Sequence, residues 1–371
     1  MNTTLRGATV VSYCSECGHV QTDPLIDLKA YYEDTYEVGR LNENDDQLYA
    51  MDGEKPVYRA EHQARVACHK LAISDGVRVL DYGCGKSLTM MRICEMIPSL
   101  QPYLYDVSDK YLPIWSTFTQ LDHCFVRNIP DSAKESFDIV TSFYALEHIS
   151  DLQESLDSIR DCLKPGGVFY FIVPNVLANL ADFIVADHVN HFLPSSLQAM
   201  LKVNGFEGIE VDASVHFAAY VVAARKASSV KGEAVGSMPL PSLQSHDYPV
   251  DERERRMLSD IAQFWSSQQE RLTMRLSSLP DDASVAIYGA GFYGTYLRGL
   301  LEASGRTPAV IVDQNPFLQG TSIAGVRVVS PSELPETIDT LLVGLNPQSA
   351  KQIIQGIDLW QGRKIDCIYL E

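Results

Sequence analysis

From Val77 onward, short apolar blocks alternate with longer stretches in which apolar residues recur at helical spacing. The blocks and stretches read VRVLDYG, SLTMMRICEMI, PYLYD, SDKYLPIWSTF, FDIVTSFYAL, LQESLDSIRDCL and VFYFIVPN. This pattern predicts strands and helices in turn, hence βαβ crossovers and a mostly parallel sheet covered on both faces. The helix PSSLQAMLKVNG, with its N-cap expected at Pro194 or Ser195, is followed by two strand candidates, GIEVDAS and HFAAYVVAARK, with no helix between them. They are expected to pair antiparallel and to finish the sheet near Lys226.

The next stretch, KASSVKGEAVGSMPLPSLQSHDYPV, has no period and is rich in Ser, Gly and Pro, as a linker is. A charged helical run from Asp251 to Leu279 reads either as a strut between domains or as the surface of a homodimer. A second strand, turn and helix follow in SVAIYGAGFYGTYLRGLLEASG, leading to AVIVD and TLLVGL. The expected division is an N-terminal segment over 1–56, a first α/β domain over 57–226, linker and charged helix over 227–283, and a smaller Rossmann-like domain over 284–371. A chain of 371 residues suits more than one core.

With 30 Lys and Arg against 48 Asp and Glu, the formal charge is -18, which repels a phosphate backbone over most of the surface. Nucleic acid is not expected as a partner. No apolar run is long enough for a signal peptide or a membrane span, so a cytoplasmic protein with no membrane partner is expected. The 8 cysteines are mostly scattered in apolar contexts, which suits reduced thiols.

At Asp81 to Gly85 the chain must leave a strand, turn tightly and enter a helix while its backbone approaches a ligand, which Gly83 and Gly85 permit. Asp106 closes the next strand, where a carboxylate can hydrogen-bond both hydroxyls of a ribose. Asp81 suits an ammonium group. A ligand with an ammonium, a ribose and no phosphate fits these groups better than a dinucleotide does, and Cys84 and Lys86 read as turn-fillers.

LDYGCGKS, YDVS, FDIVTSFYALEHISD and LKPGGVFYFIVPN, in this order, resemble the successive motifs of class I S-adenosylmethionine (SAM) dependent methyltransferases. The resemblance covers roughly Tyr58 to Arg225. It implies a seven-stranded sheet with SAM over the ends of its first strands, the methionine end at Asp81, Gly83 and Gly85, and the ribose at Asp106. Asn128 is the implied adenine contact. Tyr144, Glu147 and His148 then stand at the mouth of the site, with Glu147 open to a plainer reading as an acid at a helix entry.

Methyl transfer from a sulfonium needs a positioned, deprotonated nucleophile, so a base is expected near the strand ends. FIVADHVNHFLPSSL offers His188 and His191, with Asp187 adjacent to tune the imidazole, in what reads as a loose polar loop on the substrate side. Together with YCSECGHVQTDP, YYEDTYEVG and a terminal domain carrying IYGAG and VDQNPFLQG, this loop resembles the three-part nucleotide-sugar C-methyltransferases. The resemblance implies that Asp187 and His188 match a glutamate-histidine pair. A 4-keto sugar would lose a proton to His188, the enolate carbon would take the SAM methyl, and His191 or Tyr144 would hold the oxyanion. An O-methyltransferase would use the same base on a hydroxyl.

The resembled family holds zinc in its N-terminal region through two C-x-x-C pairs, and here only Cys14 and Cys17 are present. Two cysteines do not complete a four-ligand site. The open alternatives are a missing first pair, folding without metal, or a further ligand such as His19. In the second domain, Gly289, Gly291 and Gly294 match G-x-G-x-x-G, with Asp313 at a following strand end. The turn serves either a nucleotide or the packing of helix on strand, and the domain's length suggests half of a two-lobed Rossmann fold. The resemblance puts this domain on the substrate side. Three readings compete: a sugar or other small-molecule methyltransferase, an NAD(P)-dependent oxidoreductase using the second turn, and a SAM-binding scaffold without catalysis.

Overall fold

The computed structural model describes residues 8–24, 27, 31–32, 46–53, 55–117, 123–228, 251–360 and 362–371. The linker expected over 229–250 and most of YYEDTYEVG lie outside them. The chain divides into two compact units, one from Thr9 to Arg255 apart from a stretch ending at Leu48, the other from Arg256 to Glu371 together with that stretch.

In the first unit, β1 (Val11–Tyr13) and β2 (Val20–Thr22) form a hairpin, and β3 (Leu48–Asp52) and β4 (Lys55–Tyr58) form a second one leading into α1 (Arg59–Leu71). Then come β5 (Arg78–Tyr82), α2 (Leu88–Met96), β6 (Gln101–Asp106), β7 (His123–Val126), β8 (Phe137–Phe143), α3 (Leu152–Cys162), β9 (Leu163–Pro174), β10 (Asn190–His191), α4 (Pro194–Val203), β11 (Phe206–Asp212) and β12 (Ala219–Lys226). Seven of these strands make one sheet in the order β11-β12-β9-β8-β5-β6-β7. The five strands from β9 to β7 in that order run parallel, while β12 lies antiparallel between β9 and β11.

Alternation along these strands feeds two cores. Leu80, Val140, Phe169 and Phe171 pack on one face, Val79, Ile139, Tyr170 and Ile172 on the other. A sheet apolar on both faces must be covered twice, which explains the continuous apolar blocks in the sequence. α3 starts where Asp151 accepts the backbone N–H of Glu154 at 2.9 Å. α4 starts one residue earlier than expected: Leu193 is the extended N-cap and Pro194 is the first helical residue, where a missing N–H costs nothing.

The N-terminal segment does not stand apart as expected. β10 pairs antiparallel with β2, joining the β1-β2 hairpin to the first unit in a three-stranded sheet.

α5 (Glu252–Ser277) carries the chain into the second unit, where β13 (Val285–Tyr288), α6 (Phe292–Ala303), β14 (Ile311–Val312), β15 (Ser322–Ile323), β16 (Val326–Val329), β17 (Thr340–Val343), α7 (Pro347–Gln355) and β18 (Asp366–Tyr369) follow. The sheet order is β15-β16-β14-β13-β17-β18, all parallel except for β15. Strands stand on both sides of β13, so the short domain is more than the single lobe its length suggests, and its order reverses between β13 and β17.

Candidate functional site

The turn after β5 is shaped by its glycines. Gly83 has φ +69°, and a Cβ there would lie 2.7 Å from the Cβ of Ala145. Its N–H and that of Cys84 bond the carbonyl of Tyr105 on β6, at 2.9 and 3.0 Å. Gly85, at φ +50°, gives its N–H to Asp106 Oδ2 at 2.8 Å, and Ser108 N–H goes to Oδ1 at 2.9 Å. Asp106 is thereby aimed by two backbone donors, and each oxygen keeps a lone pair for a diol. Burial raises its pKa against those two bonds.

Asp81 is buried behind the same turn, its oxygens accepting the hydroxyls of Ser87 and Thr141 at 2.9 Å each. Burial pushes its carboxyl up to about 7 despite these donors. A nearby ammonium would return it to the charged form. Gly83, Gly85 and Asp106 thus fit the glycine cradle and ribose carboxylate expected of a SAM site, and Asp81 suits its ammonium. Asn128 is exposed just past the end of β7, whose Val126 pairs with Asp106.

The second cluster lies where β8 ends and the DHVNH segment returns. Glu147 and His148 sit in a short 3-10 turn over Leu146–His148, and Val189 N–H bonds the carbonyl of Glu147 at 2.8 Å. Asn190 locks the two segments, giving its amide to the carbonyls of Leu146 at 2.9 Å and Ile149 at 2.7 Å. The segment is therefore not the loose polar loop expected: Asp187, His188, Asn190 and His191 are all buried. Pairing with β2 and these amide bonds satisfy much of its backbone and the Asn190 amide, which lets it enter the core.

The partner of His188 is not the adjacent Asp187. Nδ1 of His188 lies 2.6 Å from Asp182 Oδ1. Asp187 instead accepts the phenol of Tyr32 at 2.8 Å, while its backbone carbonyl lies 3.0 Å from His148 Nδ1. A carbonyl only accepts, so this nitrogen of His148 carries its proton, and in the neutral ring Nε2 is a bare lone pair. The His148 and His188 rings stand edge to face with centroids 4.7 Å apart. Asp182 and Tyr32 carry no signal by adjacency: one lies six residues before its histidine, the other 155 residues from its carboxylate.

Electrostatics push these groups apart. Burial lowers His188, but the charge and bond of Asp182 outweigh it and lift the imidazole to about 9. Asp182, which burial alone would raise, is held below the usual carboxylate range by His191 and His188. Burial and the His188 charge bring His148 down to about 4, so it is neutral at pH 7. Burial lifts Glu147 to about 8 against the opposing charge of His188. Glu147 is 1% exposed and its Oε2 has no hydrogen-bond partner. One donor atom from each of Glu147, His148 and His188 lies within 4.8 Å of the others, so a single oxygen of a ligand can meet all three.

Two expected catalytic residues are placed differently. His191 is wholly buried, with Nδ1 on Asp182 Oδ2 at 2.5 Å and Nε2 on the Thr22 hydroxyl at 2.6 Å, so both nitrogens are spent and it does not face a substrate. Tyr144, at φ +54°, has its ring under Arg59 at 5.0 Å and against His216 at 5.9 Å, a neighbourhood shared with Tyr49 and His62. Burial raises its phenol. Its ring belongs to this aromatic group.

Cys14 and Cys17 are free thiols in the turn between β1 and β2. His19, the further ligand expected beside them, has its ring nitrogen on Asn190 Oδ1 at 3.1 Å. Two thiols do not fit a four-coordinate zinc.

In the second unit the glycines divide. A Cβ on Gly294 would sit 1.8 Å from the carbonyl of Gly289, and one on Gly289 2.4 Å from that of Gly344, so these two serve close packing of α6 on β13 and β17. A Cβ on Gly291 meets nothing within 4 Å. Asp313 takes N–H groups from Ala290 and Asn315 at 2.8 Å each, the same bracing that Asp106 receives in the first unit.

Residues 58–211 match the family model described as a methyltransferase domain. A ubiquinone biosynthesis O-methyltransferase of Idiomarina loihiensis is 30% identical over 128 residues, 32% of this chain and 52% of that protein. One from Rhizobium rhizogenes is 29% identical over 144 residues, 37% of this chain and 57% of its own. The chain thus spans about half the length of the curated relatives it matches. A solved SAM-dependent methyltransferase from Mesorhizobium loti aligns at 19% identity and a TM-score of 0.35, covering 44% of this chain and 97% of its own. No helix among the described residues is long and apolar enough to cross a membrane. With the family match laid over a seven-stranded sheet and a glycine turn facing a braced Asp106, residues 58–211 are a methyltransferase domain of the class I, SAM-dependent kind.

Proposed function

We propose that the chain is a cytoplasmic SAM-dependent methyltransferase that C-methylates a nucleotide-linked keto sugar, with His188 as general base. The observation that carries this reading is the buried Asp182–His188 pair, 2.6 Å apart, beside the unpartnered carboxyl of Glu147. SAM, held at Asp81, Gly83, Gly85, Asp106 and Asn128, supplies an electrophilic methyl group. Nδ1–H of His188 is committed to Asp182, so a deprotonated ring presents Nε2, which takes the proton from the carbon beside the carbonyl; that carbon keeps the electron pair. Glu147, protonated at pH 7, donates from Oε2 to the oxygen on which charge develops. His148 and Asp187 orient the acceptor's remaining oxygens.

The sugar rests on the three-part resemblance, and a nucleotide moiety is supported by the second unit. Its braced Asp313 has the place of a ribose carboxylate, Gly291 leaves open space at the start of α6, and the strand order reverses beside them. Asp313 and Gly291 are the proposed nucleotide contacts, with Gly289 and Gly294 shaping the turn. O-methylation is the second reading, favoured by the O-methyltransferase relatives, and it would use the same base on a hydroxyl.

The test supplies SAM labelled with carbon-13 in its methyl group together with a panel of nucleotide-linked 4-keto and reduced sugars, and reads products by NMR. Label on carbon beside a carbonyl supports the proposal. Label on oxygen selects the second reading, and label on no sugar rejects the acceptor class.

A further inference from the structure

The N-terminal hairpin sends one side chain into the core of the methyltransferase unit. Thr22, on β2 and 4% exposed, places its hydroxyl on Nε2 of His191. The other nitrogen of that ring meets Oδ2 of Asp182, whose Oδ1 meets His188. Thr22, His191, Asp182 and His188 form one unbroken line of hydrogen bonds, although 169, 9 and 6 residues separate the successive partners.

The line has a direction. An ionised carboxylate only accepts, so both imidazoles meet Asp182 with Nδ1–H, and Nε2 of His191 is left for the Thr22 hydroxyl. Apolar packing alone does not call for these residues. His191 lies against Phe183, with ring centroids 5.1 Å apart, where a phenyl ring would fill the space without a desolvation cost. A carboxylate bonded through one oxygen can turn about its last torsion, whereas one bonded through both is fixed, and with it the ring it orients.

We propose that Thr22 and His191 are positioning residues: the hairpin hydroxyl holds the ring of His191 in place, His191 fixes the plane of Asp182, and Asp182 thereby fixes the tautomer and aim of His188. The catalytic meaning of this line rests on His188 being the base; the tautomer itself does not. The charged and titratable groups facing His188 are Asp182, Glu147, Asp187 and His148; Thr22→Val replaces no group that touches them, whereas His191→Phe also takes from Asp182 a partner that holds it low.

The experiment uses the full chain with histidine nitrogens labelled and SAM bound. Two-bond proton-nitrogen correlation at one pH, set above the value of about 9 at which His188 gives up its charge, reads each tautomer, and His188→Gln assigns the base. Thr22→Val, which keeps the shape and removes the hydroxyl, is expected to move the His188 nitrogen shifts toward a ring exchanging between tautomers. Thr22→Ser is expected to restore them. His191→Phe is expected to act as Thr22→Val does, and SAM affinity by calorimetry reports that each variant is folded. With an acceptor in hand, kcat of Thr22→Val falls roughly tenfold while KM holds.

Unchanged His188 shifts in folded Thr22→Val overturn the proposal, and this variant decides even if His191→Phe fails to fold. If Thr22→Val moves the shifts but His188→Gln still transfers methyl, the line stands and the base reading falls. If His188→Gln is dead and Thr22→Val leaves shifts and turnover alone, the base stands and the line falls.

Discussion

In the proposed mechanism His188 and Glu147 act through upward displacements from their ordinary values that leave them in opposite charge states. The imidazole, raised to about 9, is charged at pH 7, and the carboxyl, raised to about 8, is neutral there. A base that is mostly protonated limits turnover at neutral pH, so kcat is expected to climb about tenfold per pH unit between 6 and 8. It should level and then fall once Glu147 loses its proton, and the two limbs belong to the coupled pair rather than to either residue. A pH profile read by methyl transfer checks this, with Glu147→Gln expected to lower the rate and abolish the alkaline fall. Asp182→Asn keeps the shape but reverses the tautomer preference of His188, and turnover should drop by ~10²- to 10⁴-fold with SAM affinity unchanged. Gly83→Ala forces a Cβ into Ala145 and strains a positive φ, so calorimetry should show SAM binding weakened at least tenfold.

At the scale of elements, the acceptor side is assembled from pieces that are weak alone. β10 is two residues long, and the turn bearing Glu147 and His148 is a single 3-10 turn. Asn190 holds both by bonding Leu146 and Ile149 carbonyls while its own oxygen accepts from His19 of the hairpin. Asn190→Ala strands two carbonyls, and urea unfolding should register a loss of about 2 kcal/mol or more. Repeated apolar blocks made the long strands legible in the sequence, because a strand buried on both faces has no polar alternation to hide it. Two-residue β10 has no such signature, which is why its segment reads as a loop until β2 is set beside it.

For the whole molecule, burying these ionisable groups ties stability to pH. The charge of His188 favours the fold fully below 6.5, and this contribution is lost as pH rises through about 9. Glu147 and Asp81, with folded values of about 8 and about 7, act in the same sense, since the folded state keeps protons that the unfolded chain gives up. Melting followed by calorimetry should therefore show Tm falling by several degrees between pH 6.5 and 9. The second unit makes a separable contribution: Asp313→Ala should weaken nucleotide-sugar binding at least tenfold while leaving SAM affinity intact, as titration of each ligand would report.

Legible in the chain were the parallel sheet, the antiparallel return near Lys226 and the glycine turn with Asp81 and Asp106, all of which are local in the chain or repeat along it. Tertiary structure alone decided which acid serves which histidine. Asp187 sits in a turn closed by His188 N–H on the Val185 carbonyl, where it faces Tyr32 and His148, while Asp182, in the helical turn before it, reaches His188. It also withdrew His191 from the substrate, because a hairpin from the far end of the first unit covers it and takes its last free nitrogen.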